Sequence, residues 1–96
     1  MKKILIYNYT GEFAENKDVA REIRINKIIP YLERKEKIVI DFNNVKSTTQ
    51  SFIHALISDV IRKRGAGVLN NIYFKNCNDI IKKIIEIVTE YMQDSF

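Results

Sequence analysis

The sequence predicts an α/β domain of order βαβαβα, with a mixed or parallel sheet and helices packed on it. Two observations carry this reading. Short apolar or alternating runs near residues 3–9, 37–42 and 68–75 are each followed by a longer segment whose apolar residues recur at helical spacing. Such alternation of strand and helix favours parallel pairing through right-handed crossovers. In addition, Ile38, Val39 and Ile40 form an unbroken β-branched run of the kind that a strand buried on both faces requires.

The first strand is expected over Lys3 to Tyr9, where Ile4, Leu5, Ile6 and Tyr7 run apolar and Thr10-Gly11 supplies a stop. From about Lys17 to Glu33 the residues Val19, Ala20, Ile23, Ile28 and Leu32 mark a helix, with Asn16 or Asp18 available to begin it. Pro30 lacks a backbone donor and clashes with the preceding turn, so this helix should kink, or two shorter helices should meet near Ile28-Ile29. The central strand, Lys37 to Phe42, hands over to a second helix from about Thr49 to Arg64. Phe52, Leu56, Val60 and Ile61 form its inner stripe, and Gly65 and Gly67 end it. A third strand is expected over Val68 to Lys75 with Leu69, Ile72 and Phe74 as core residues, its start delayed by Asn70-Asn71. The last helix should run from about Asn78 to Met92, with Ile80, Ile81, Ile84, Ile85, Val88 and Tyr91 on a broad apolar face lying across the sheet.

Composition narrows the function classes. The 96 residues suit one domain, spanning 1–96, which leaves little room for a deep active site. No apolar run approaches the roughly 18 residues of a membrane span, and Met-Lys-Lys leads straight into a strand-like segment, so a cytoplasmic chain without membrane contact is expected. Cys77 is the single cysteine, which rules out an intrachain disulfide or a cysteine-rich zinc site. The net charge of +4 arises from cations interleaved with acids, as on solvated helix faces. Arg62, Lys63 and Arg64 stand apart as a cluster closing a helix, where they complement the negative end of its dipole or contact phosphate. No glycine-rich phosphate loop, HExxH helix, Cys-His cluster or GxSxG elbow occurs, so neither catalysis nor a cofactor is expected.

The most informative segment is the junction from Ile38 to Leu56. Asp41 ends the apolar run, Asn43 and Asn44 suit a turn, and Thr48 and Thr49 are each able to cap the helix that Gln50, Ser51 and Phe52 begin. Loops beyond the carboxyl ends of such strands form the usual binding edge. Asp41 is expected to accept amide hydrogen bonds from the Thr48 to Ser51 turn or to contact a ligand. His54 should pack, cap or line that edge, since Asp59 is badly spaced to form a dyad with it.

Asp41-Phe42, Val45 and Gln50-Ser51-Phe52, with Gly11-Glu12-Phe13, Asn16, Lys17 and Ala20 upstream, resemble the STAS-like family of unknown function, small prokaryotic proteins and modules. The resemblance covers most of the chain and implies the same α/β architecture. More distantly, the junction is similar to that of the anti-sigma-factor antagonists, STAS proteins in which a Ser or Thr there is phosphorylated by an ATPase-type kinase. Ser51 falls at that position, although those proteins carry Asp-Ser-Ser-Gly or close to it where this chain has Thr49-Gln50-Ser51-Phe52. Many STAS-like relatives carry acidic residues after the Phe, where this chain has His54 and Ala55. The resemblance implies a non-catalytic regulatory module that docks a histidine-kinase-like ATPase or other signalling protein through Asp41, Asn43, Asn44, Thr48, Thr49, Gln50, Ser51 and His54. Phosphorylation of Ser51 would gate it, by adding nearly two negative charges at a helix N-terminus. Two alternatives are nucleotide or nucleic-acid binding through Arg62, Lys63 and Arg64, and self-association through the first helix or an exposed sheet edge.

Overall fold

A computed structural model describes residues 1–94, with side chains through Tyr91. Three strands, β1 (Lys2–Leu5), β3 (Ile38–Asp41) and β5 (Ile72–Lys75), form a sheet in the order β1-β3-β5. Both pairings are parallel, with Lys2 opposite Ile38 and Ile38 opposite Ile72. Of the two sheet types open from sequence, the parallel one is therefore present, and β3 is the central strand as its apolar run requires.

The first strand is shorter than expected. β1 runs out of partner at Asp41, whose carbonyl takes the Ile6 N–H at 3.0 Å, and the chain then coils into a helical turn, α1 (Tyr7–Thr10). Thr10 Oγ1 donates to the Ile6 carbonyl at 3.3 Å and Gly11, at φ +70°, ends the turn. Next comes β2 (Phe13–Ala14), which pairs in parallel with β4 (Ser47–Thr48) to make a second, two-stranded sheet that the sequence reading lacks.

Asn16 caps α2 (Lys17–Ile23), its side-chain oxygen accepting from the Asp18 and Val19 amides. Two shorter helices meet at Ile28-Ile29, as expected from Pro30, with helical backbone running through the joint. A π-turn, Arg24–Ile28, carries the helix into α3 (Ile29–Glu33), the Ile29 N–H reaching back five residues to the Arg24 carbonyl. The widened turn places Pro30 at the start of α3, where a missing donor is least harmful.

Thr49 caps α4 (Gln50–Arg64), and Gly65, at φ +84° and ψ 164°, ends it. A 3₁₀ segment, Ala66–Asn71, takes up the first half of the expected third strand, so that Val68 rather than Leu69 is the residue it buries. α5 (Asp79–Asp94) begins where Asn78 Oδ1 accepts the Ile81 N–H at 2.9 Å. It packs chiefly against α4 and β4 rather than across the sheet. Ile81, Ile85 and Val88 are buried there, whereas Ile80 and Tyr91, expected on the buried face, are exposed.

The core lies between one face of the three-stranded sheet and the helices, and is isoleucine-rich: Ile4, Ile38, Ile40 and Ile72 meet Ile23, Ile53, Ile57 and Ile61 with Phe42 and Phe52. Phe42 and Phe52 bracket the junction and are both fully buried, which fixes its two ends. No helix among the described residues is long and apolar enough to cross a membrane.

Candidate functional site

The junction begins with a buried carboxylate. Asp41 Oδ1 accepts the Asn43 backbone N–H at 2.8 Å and the Asn76 Nδ2 at 2.9 Å, while Lys3 Nζ lies 3.3 Å from Oδ2. Burial by itself would push this carboxyl up. The hydrogen bonds from Asn76 and Asn43 and the charge of Lys3 outweigh it, and hold the carboxyl below its ordinary value. Asp41 thus ties together the carboxyl ends of β1, β3 and β5. It does not receive the amides of the Thr48 to Ser51 turn, because the chain swings away through Asn43 and Asn44 to pair β4 with β2 first.

Asn43 and Asn44 are exposed in that turn, which Val45 N–H closes onto the Phe42 carbonyl at 3.0 Å. Asn44 sits at φ +69°, a left-handed conformation that asparagine tolerates better than most residues. The loop is held to α5 by Asn78 Nδ2, which donates to the Lys46 carbonyl at 2.8 Å. It is also held to the chain before β2, where the Lys46 N–H meets the Glu12 carbonyl at 2.7 Å.

The two threonines divide their roles. Thr48 is buried, and its Oγ1 donates to the Ala14 carbonyl at 2.7 Å, locking β4 to β2. It is therefore not a helix cap. That role belongs to Thr49, whose Oγ1 accepts the Phe52 N–H at 3.1 Å. Gln50 and Ser51 occupy the next two positions, both exposed, and the Ser51 hydroxyl makes no hydrogen bond among the described residues. His54 lies one turn further on, exposed, with its Nδ1 3.2 Å from Ser58 Oγ.

Gln50, Ser51 and His54 are brought together on one rim of an open groove of about 520 Å³ between α4 and α5. Lys17 completes the polar rim, and Ala55, Ile87, Val88 and Tyr91 supply the apolar wall. Asp41, Asn43, Asn44 and Thr48 are not among its lining residues. Lys17, Ala55, Ile87, Val88 and Tyr91 were not expected at the site, and the α5 residues among them had one legible signal. α5 carries more apolar positions than a single buried stripe can take, and the surplus becomes the wall of the groove.

The chemistry offered here is recognition. An apolar wall beside hydroxyl, amide, imidazole and ammonium groups suits a side chain or short segment of another molecule. Cys77 is half-buried near β5, and burial pushes its thiol up, with Lys82 opposing. Of the basic cluster, Arg62 pairs with Asp59 at 3.2 Å and Arg64 with Glu33 at 3.7 Å. Asp59 also faces the largely buried Arg24 at 3.3 Å, and is thereby engaged away from His54.

A family model described as a STAS-like domain of unknown function matches residues 19–82, from within α2 through the junction, α4 and β5 to the first turn of α5. No curated protein and no solved structure matches the chain.

Proposed function

Because the chain belongs to the family of STAS-like domains of unknown function, we propose that it is a non-catalytic regulatory module that docks a signalling protein at the α4–α5 groove, with phosphorylation of Ser51 as the gate. The observation that carries this is the separation of capping from exposure at the start of α4. Thr49 satisfies the helix amide, which leaves the Ser51 hydroxyl exposed in the first turn with no hydrogen bond among the described residues. A phosphate there would be favoured by the helix dipole, so it would change the surface without unfolding the helix. Lys17, on the same rim, would face the new charge and lose its availability to a partner.

The partner class comes from the resemblance to anti-sigma-factor antagonists: a histidine-kinase-like ATPase, met in the cytoplasm of a prokaryotic cell. The test is tagged expression of the wild-type chain and Ser51→Asp in the native host, with mass spectrometry of co-purifying proteins and of the Ser51 peptide. The expected result is a stoichiometric protein partner lost in Ser51→Asp, while the melting temperature stays within about 3 °C. Equal recovery of that partner by both chains would overturn the gate. Recovery of a homo-oligomer alone, or of nuclease-sensitive material through Arg62, Lys63 and Arg64, would overturn the docking reading.

A further inference from the structure

The sheet has a second face whose edge-strand residues are exposed, although its centre, Val39 and Asp41 on β3, is buried. On β1, β3 and β5 the residues Ile4, Ile38, Ile40 and Ile72 join the core, whereas Lys3, Leu5, Val39, Asp41, Tyr73 and Lys75 do not. Strand pleating sends these two sets to opposite sides. The register lines up the second set in two rows, Lys3–Val39–Tyr73 and Leu5–Asp41–Lys75. Leu5 and Tyr73 are each 38% exposed, although both strands belong to an all-parallel sheet. Parallel sheets are nearly always covered on both faces, because their strands carry apolar side chains on both.

We infer that this face receives one amphipathic helix of a partner protein, with an apolar stripe flanked by acidic residues. Charge complementarity selects that occupant. Among the described residues of these rows the exposed charges are the lysines Lys3 and Lys75, with Lys37 beside Tyr73, and the carboxylate in them, Asp41, is buried beneath Lys3 and already holds Asn43 and Asn76. A second copy of the chain laid face to face would set lysine against lysine. Single-stranded nucleic acid needs a series of exposed rings for its bases. Among the described residues of these rows there is one, Tyr73, and Lys37 Nζ lies over it, 6.0 Å from the ring centre. The dimensions also fit. Two inter-strand spacings give a width of about 10 Å, close to the diameter of one helix. Leu5 and Tyr73 form the exposed apolar track on either side of the buried Val39, and the lysines flank it. The surface lies on the opposite side of the sheet from α4 and α5, so it is separate from the Ser51 groove.

The test is a titration of the isotope-labelled full chain with a synthetic 16-residue helical peptide bearing a leucine stripe flanked by glutamates, followed by amide chemical shifts. Two controls are the same peptide with lysines replacing the glutamates, and oligouridine. The expected result is shifts centred on Leu5, Val39 and Tyr73 with the acidic peptide only. Tyr73→Ala and, independently, Lys75→Glu should each weaken binding about tenfold, with the rest of the spectrum preserved as proof of folding. No shifts with the acidic peptide, shifts confined to the α4–α5 groove, equal binding of the lysine peptide or oligouridine, or a dimer that buries Tyr73 would each overturn the inference.

Discussion

Replacing Asp41 by asparagine removes one charge from the point where three strands end and leaves the shape almost unchanged. The carboxylate accepts from Asn43 at 2.8 Å and from Asn76 at 2.9 Å and faces Lys3 at 3.3 Å. A hydrogen bond to an ionised group contributes about 1.5–3 kcal/mol and a neutral one about 1 kcal/mol. Asparagine keeps an acceptor oxygen, so the loss is the difference, ~0.5–2 kcal/mol per bond, the lower end being favoured because Asn43 and Asn76 are exposed. Lys3 adds less than about 1 kcal/mol, since its side chain is 59% exposed and water screens the pair. Asp41→Asn should therefore destabilise the protein by about 1–2 kcal/mol at neutral pH, or roughly 5–10 °C in Tm. The sign of the pH dependence follows from the carboxyl lying below its ordinary value. Its stabilisation is fully present above the unfolded value of about 4 and is lost as pH falls through the lower folded value. Urea denaturation of both chains at several pH values measures this. The gap between them should be constant from pH 7 to about pH 5 and should close below about pH 4. A gap that stays open or widens in acid, or no gap at neutral pH, would refute the reasoning.

Two further substitutions test the ends of α4. Thr49→Ala removes the cap and should cost about 1 kcal/mol in thermal or urea unfolding, whereas Ser51→Ala should cost under about 0.5 kcal/mol; the reverse order would transfer the cap to Ser51. Gly65→Ala should cost about 1–3 kcal/mol by the same measurement, although a Cβ there meets nothing within 4 Å, because φ +84° with ψ 164° is a region almost confined to glycine.

The parts of the fold that could be read from the sequence were those governed by nearest neighbours along the chain. The β-branched run Ile38–Ile40 has few alternatives to a central strand, and Phe52, Leu56, Val60 and Ile61 repeat at helical spacing beside a threonine cap and a terminal glycine. What stayed hidden depends on distant partners. Phe13–Ala14 and Ser47–Thr48 are two residues each, and neither reads as a strand until the other lies beside it. The same pairing withdrew Thr48 from the helix cap and carried the chain away from Asp41. Tyr7 to Tyr9 have the composition of a strand, yet β3 offers them no partner beyond Asp41. Within the candidate site, Gln50, Ser51 and His54 were legible because helical spacing alone puts them on one side of α4. The opposing wall was not, because nothing local tells which surplus apolar residues of α5 face α4.

The strand order has a consequence for how the chain is made. Each strand's neighbour lies far along the sequence: Lys2 waits for Ile38, and Ile38 for Ile72. The sheet contains no hairpin that could form by itself while the chain emerges. Until Ile72–Lys75 is synthesised, β3, the most apolar strand of the protein, has one edge open to other chains. Safe folding then depends on the helices outpacing the strands, with α4 shielding Ile38 and Ile40 before their last neighbour arrives.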